Sequence, residues 1–331
     1  MKTVKRVVWP LVAATALSLA LYFLYQKLHG LTWQEFENDL RSIPPHHYGL
    51  ALFSTCVAYF ALAWYDRLAL IHLNIHHISW LFISLCSFTT YALGHNLGAS
   101  VFSGAVVRYR AYTSKGLSPA QIAVLVTLCT FTFALGVVIL SGCVLTIRPD
   151  LLARIQLPED SPLQLPGFLT DPLFARTVGL LMLGFVAAYI IGSLMQMRPL
   201  HVRGFLLEYP RPKVMVRQLL VGPLELLGAA GIIYSALPDA GNPGYIAVLG
   251  VFLASFSVAL VSNVPGGVGV FEALFIAAMP EIDKSQVLAA LVVFRAFYFI
   301  IPLIISLFII AIYERMQYKE RERREAAGTT G

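Results

Sequence analysis

The chain has 331 residues, 58% of them apolar and 13% charged, with a net charge of +6 and a mean hydropathy of +0.73. Typical soluble domains carry about 25% charged residues, so this chain has too little charge to coat a water-facing surface and its solvent must be largely lipid. That excludes a disordered chain, a coiled coil and a nucleic-acid binder, and the positive excess reads instead as loops facing the cytoplasm.

Lys2, Lys5 and Arg6 precede the first apolar run and resemble the start of a secretory signal. No convincing small-residue cleavage site follows, so the run is expected to stay as a membrane span. A spanning helix needs about 20 apolar residues. The runs that qualify are 7–28, 48–66, 78–97, 118–146, 176–197, 216–237, 244–263 and 285–313. The expected fold is therefore an all-α polytopic membrane protein with about eight transmembrane helices. Two shorter apolar stretches, 98–107 and 264–280, are dense in glycine and predict re-entrant or broken helices. The four cysteines, Cys56, Cys86, Cys129 and Cys143, lie inside apolar runs and read as packed side chains without disulfides.

Orientation follows from the basic residues. With the N-terminus cytoplasmic and both short segments reversing the chain, 17 of the 24 Lys and Arg fall inside and six outside, leaving Arg295 in the membrane. The domain plan is a single transmembrane domain over 1–313, with halves 1–146 and 176–313 joined by an external, proline-rich loop 147–175. A cytoplasmic basic tail, 314–331, begins as an extension of the last helix. The halves share a weak repeat. Asn96 precedes one Gly/Ser-rich break and Asn263 the other, and each is followed by Ser118-Pro-Ala-Gln or Ser285-Gln at the start of the next span. Equivalent interruptions in oppositely oriented halves are the plan of an inverted-repeat transporter, with its site near the midplane.

The sharpest string is Asn263-Val-Pro-Gly-Gly-Val-Gly-Val-Phe-Glu272. Pro265 stops a helix, while Gly266, Gly267 and Gly269 permit backbone conformations closed to other residues. A short helix is expected to restart near Val268 and to aim free N–H groups at an anion; close packing through small residues is the alternative. Glu225, Glu272 and Arg295 lie deep in apolar spans, each costing about 2.5–3.5 kcal/mol by insertion scales unless paired or hydrated. At helical rise, Arg295 stands about 15 Å into the last span, near the midplane. Glu272 and Arg295 are read as cavity residues, with a structural ion pair as the alternative. Arg108-Tyr-Arg110 follows the first break and suits a phosphate clamp at the cytoplasmic mouth, or simple interfacial anchoring. Asp66-Arg67 reads as an interfacial pair, and His95 beside Asn96 as a helix–helix hydrogen-bonding pair. His72, His76 and His77 read as an interfacial loop. No metal site, cofactor or catalytic set is expected.

The 263–272 string, together with Arg108-Tyr-Arg-Ala-Tyr and Gly116-Leu-Ser, resembles the lysylphosphatidylglycerol synthase transmembrane family over roughly 10–312. This is the flippase-like membrane region of the multiple peptide resistance factor. The resemblance implies a bacterial inner-membrane protein that binds and flips a phospholipid, phosphatidylglycerol or an aminoacylated derivative. The aminoacyl-transferase that the family name implies is not expected in these residues, so the expectation is lipid handling rather than tRNA-dependent catalysis. A non-transporting subunit that scaffolds a lipid-modifying enzyme is the competing reading. A second copy of the chain or such an enzyme are the protein partners left open. The lipid and anion site is expected to comprise Asn96, Arg108, Arg110, Glu225, Asn263, Pro265, Gly266, Gly267, Gly269, Glu272 and Arg295.

The charge split makes a testable topology. In a background without native cysteines, Ser42→Cys and Ser161→Cys should react with an impermeant thiol reagent from outside intact cells, and Thr329→Cys should not. Labelling of the Ser161→Cys protein only after permeabilisation would reverse the assignment.

Overall fold

The computed structural model describes residues 33–97, 100–154, 167–196, 200–202, 205–207, 210–262, 264 and 267–328. The expected first span 7–28 lies outside them, as do Asn263, Pro265 and Gly266. Among the described residues the regular structure is helical apart from a hairpin of two three-residue strands, Leu200–Val202 and Phe205–Leu207. The helices are α1 Trp33–Ser42, α2 Pro45–His72, α3 Trp80–Leu97, α4 Ser100–Thr113, α5 Pro119–Ile147, α6 Pro172–Leu194, α7 Pro212–Ala236, α8 Tyr245–Ser262, α9 Val270–Ala277, α10 Lys284–Arg295 and α11 Ile301–Gly328. A π-helical turn, Ala296–Ile300, joins the last two.

Among the described residues, six stretches are long and apolar enough to cross a membrane: α2, α5, α6, α7, α8 and the continuous run Lys284–Tyr313. Expected span 78–97 became α3, which is not among the six. Its polar C-terminal turn, with His95 and Asn96, lowers its apolar character, and it packs against α4 instead. There Gly104 lies so close to α3 that an added Cβ would stand 2.9 Å from Thr90 Cγ2.

Contacts at the two ends of the bundle show how the chain doubles back. At one end, the His77 ring meets the Lys115 carbonyl at 3.1 Å and Lys115 Nζ sits 4.8 Å from the Phe82 ring, so α4 returns to the level where α3 began. α5 leaves from that end and, at 29 residues, reaches roughly 43 Å to the other. There Leu151 packs on Gly250 of α8, and Arg154 pairs with Glu281 beyond α9. Glu281 also abuts Gly241, just before α8. The α8–α9 hairpin thus starts and finishes at the end opposite α3–α4. From there α10 and α11 run back until the Tyr313 hydroxyl donates to Ser114 Oγ at 3.1 Å. Hairpin-plus-span occurs twice, in opposite directions.

Local chemistry sets the element boundaries. Ser118 caps α5: its hydroxyl accepts from the Gln121 N–H, and the Gln121 side chain accepts from the Ser118 N–H, a capping box with Pro119 at the first helical position. In the second half Asp283 is the cap residue, so Ser285 is not equivalent to Ser118. Gln286, however, holds the same third position in its helix as Gln121 does.

The π-turn follows from Pro302. Proline lacks the N–H that would reach back four residues, so the Tyr298 carbonyl loses its helical donor. The Tyr59 hydroxyl donates to it instead at 3.0 Å, and Asn96 Nδ2 donates to the Phe299 carbonyl at 3.1 Å. Asn96 therefore makes the helix–helix bond expected of it, while His95 stacks on Tyr298 with centroids 5.0 Å apart.

The central helices meet through glycine. An added Cβ at Gly136 of α5 would lie 2.5 Å from the Gly222 carbonyl of α7, and one at Gly228 would lie 2.8 Å from Ala58 N of α2. Small residues permit such backbone contact in a membrane. Cys86 and Cys129 are buried and all four cysteines are free; Cys56, exposed on α2, departs from the packed reading.

Gly136→Ala should destabilise the detergent-solubilised protein by about 1–3 kcal/mol, the usual cost of overpacking. Gly184→Ala, on α6 with nothing within 4 Å of the new methyl, should be neutral or mildly stabilising. Equal thermal melts for the two variants would refute the close contact.

Candidate functional site

Two arginines, one from each half, meet at a shared cavity. Arg108 and Tyr112 stand one turn apart on α4 and point the same way, into the bundle, whereas Tyr109 and Arg110 are exposed. Arg108 donates from Nε to Asp66 Oδ2 at 3.2 Å and from Nη2 to Oδ1 at 2.6 Å. The Tyr112 hydroxyl donates to Oδ2 at 2.9 Å, and the Cys129 thiol approaches Oδ1 at 3.5 Å. Tyr91 places its ring 4.9 Å below the guanidinium. Asp66 is 0% exposed and Arg108 5%. A buried charge pair persists only where further hydrogen bonds satisfy its remaining lone pairs, and helices α2, α4 and α5 all contribute here.

This corrects two expectations. Asp66 does not pair with Arg67 at the interface, because α2 continues to His72 and carries Asp66 well inside its end. Nor is Arg108 an open clamp at the mouth: it is buried and held bidentately, with a face to the cavity.

In the second half, Gly267 and Gly269 adopt φ of +63° and +83°, conformations open to glycine. Gly267 presses against α8, where an added Cβ would stand 2.9 Å from Ala259 Cβ. The helix restarts at Val270 rather than Val268, with Gly269 as its cap residue. The Gly269 N–H donates to Glu272 Oε2 at 2.7 Å. The helix start therefore already holds an anion, the chain's own. Glu272 Oε1 accepts from Arg295 Nε, and Arg295 lies 5.4 Å from the Phe299 ring. The ion pair exists, and Arg295 still faces the cavity, with its side chain 20% exposed against 8% for Glu272.

The cavity has a volume of about 290 Å³. Its wall draws on α3, α4, α5, α8, α9, α10 and the π-turn. Phe133, Phe256, Phe271, Phe294 and Phe299 make it mainly apolar, with Thr90, Thr130 and His95 as neutral polar groups and Arg108 and Arg295 as charges. Of the expected site residues, Arg108, Gly267 and Arg295 line it; Glu272 and Gly269 stand behind Arg295. Asn96 and Glu225 brace the π-turn instead. Glu225 is 2% exposed and accepts from the Tyr298 hydroxyl through Oε1, while its Oε2 has no hydrogen-bond partner among the described residues. Arg110 is exposed away from the cavity. The sequence reading missed Asp66, Tyr112 and Tyr298. For the last, Pro302 was the available signal. Among the described residues no His, Cys, Asp and Glu cluster fit for a metal occurs.

The family model for the lysylphosphatidylglycerol synthase TM region matches residues 9–306. The chain belongs to this family. A relative in Synechocystis sp., called Uncharacterized protein slr0712, is 27% identical over 96% of this chain and 95% of its own length. Inner membrane protein YbhN of Escherichia coli K12 is 30% identical over 82% of this chain and 81% of its own. Phosphatidylglycerol lysyltransferase of Staphylococcus haemolyticus is 33% identical over 27% of this chain, which is 11% of that protein. The chain is thus a multi-pass membrane protein of a lysylphosphatidylglycerol synthase-like family.

The two ion pairs should respond differently to mutation. Asp66→Asn or Arg108→Gln alone should cost about 3–5 kcal/mol, because each leaves a lone buried charge, and the double variant should recover much of that loss. Arg295→Gln should cost less, since its guanidinium already faces the cavity. Thermal melts of both double-mutant cycles in detergent measure this, and the absence of rescue in the Asp66/Arg108 double would count against the first pair.

Proposed function

We propose that this chain binds a phospholipid in the central cavity and moves it between leaflets of the bacterial inner membrane. One observation carries the reading: an apolar-walled cavity between two oppositely directed hairpins, with one guanidinium supplied from each half. Apolar walls suit acyl chains. Arginine suits phosphate, because its planar fork donates two parallel hydrogen bonds. The volume is near the lower end of small-ligand sites, enough for a headgroup whose acyl chains extend between helices. The family description and the name of the Staphylococcus relative, which refers to phosphatidylglycerol, support a lipid role, and the name of the Escherichia relative supports an inner-membrane location.

In this reading each hairpin enters and leaves the membrane on one face, and the cavity opens alternately to either side as the halves rock. Residues 1–313 form one transmembrane domain with halves 1–146 and 176–313, both termini are cytoplasmic, and loop 147–175 is external. The Arg108–Asp66 and Arg295–Glu272 pairs keep the site neutral when no lipid is present.

Reconstitution into liposomes with fluorescent lipids tests the proposal. Headgroup-dependent translocation is expected, and Gly267→Val should reduce it to the level of protein-free liposomes, because a β-branched residue at positive φ distorts the cavity-lining turn. Translocation equal to that of protein-free liposomes with the unmodified chain would overturn the reading.

A further inference from the structure

The cavity turns its cations inward and keeps its anions behind them. Arg108 and Arg295 line it, while Asp66 and Glu272 do not, and no other acidic side chain lines it among the described residues. Both carboxylates are committed. Asp66 accepts from Arg108, Tyr112 and the Cys129 thiol, and Glu272 holds Arg295 and the Gly269 N–H. The third buried acid among the described residues, Glu225, is turned to Tyr298 and is absent from the wall. On the donor side, Arg108 uses Nε and Nη2 for Asp66.

We infer from this placement that the cavity selects a phospholipid of net negative headgroup charge and discriminates against an aminoacylated, cationic one. The inference rests on the lipid-handling reading above and narrows it. A phosphodiester brings acceptor oxygens to guanidinium donors, which is a charge-assisted match. A lysyl ester adds two ammonium groups, each with three donors and no acceptor capacity. In this wall they would find hydroxyls, an imidazole and aromatic faces, but no carboxylate. They would also stand near two guanidinium groups in a low-dielectric setting, where like charges repel far more strongly than in water. The family description names a lysylated lipid; the charge placement in this chain favours the same phosphodiester without the lysine.

Binding to the full chain in phosphatidylcholine nanodiscs decides the matter. A fluorescent phosphatidylglycerol probe is competed with unlabelled phosphatidylglycerol, lysylphosphatidylglycerol and water-soluble glycerophosphoglycerol. Phosphatidylglycerol should displace the probe, and the lysyl lipid should need a concentration at least about tenfold higher, the effect of a single modest like-charge contact. The soluble diester should displace it poorly, because it lacks chains for the apolar wall. Arg295→Gln should shrink the preference. Thr130→Glu, which places a carboxylate on the wall, should shift selectivity toward the lysyl lipid, with a thermal melt confirming that each variant is folded. Equal or tighter binding of the lysyl lipid would overturn the charge selection while leaving lipid binding intact. Equal displacement by the soluble diester would make this a phosphate site rather than a lipid site. Failure of every lipid to displace the probe would remove the lipid-handling reading, and this inference with it.

Discussion

An uncompensated charge in the bilayer interior is the constraint to which the rest of this structure answers. Arg108 and Arg295 are both held inside a bundle in which six of the described stretches are long and apolar enough to cross a membrane. Neither would stay there without a carboxylate at hydrogen-bonding distance. Meeting that need fixes much of the architecture. Asp66 must be carried inward, so α2 continues beyond the apolar run, and Tyr112 and Cys129 must reach the same carboxylate from two other helices. Glu272 must reach Arg295 from a short helix, so the chain breaks at glycines and restarts at Val270, two residues before it.

The two pairs solve one problem in different ways. Around Asp66 the solution is dense, since donors from several helices converge and almost no surface is left open. Around Glu272 it is looser, for the carboxylate splits its two oxygens between a side chain and a backbone N–H, and the arginine keeps a face to the cavity. The first arrangement is built like a rivet between helices. The second is built from a backbone turn and the first residues of the helix that follows it.

Much of the fold was readable because lipid leaves few alternatives for an apolar chain: the helical class and six of the eight expected spans follow from hydropathy, whereas 78–97 is too polar at its end to be one of them. The site was only partly readable. Arg108, Gly267, Glu272 and Arg295 announced themselves as charges or glycines in improbable places. Asp66 did not, because an acid at the edge of an apolar run looks interfacial until the helix is seen to continue. Glu225 looked like a cavity residue for the opposite reason, since hydropathy records depth but not azimuth. Partners 239 and 203 residues apart, such as Tyr59 with Tyr298 and Asn96 with Phe299, lie beyond any local pattern.

The π-turn at Ala296–Ile300 has a consequence for what the last span faces. Inserting one residue into a helix advances everything after it by roughly 100° about the axis. Before the turn, Val287, Ala290, Leu291, Val293 and Phe294 are buried among other helices. After it, Ile301, Ile304, Ile305, Leu307 and Phe308 are exposed on the outside of the bundle. A single helix thereby changes solvent part-way along its length, from protein to hydrocarbon, and a proline that costs the ladder one donor is what sets the place of that change.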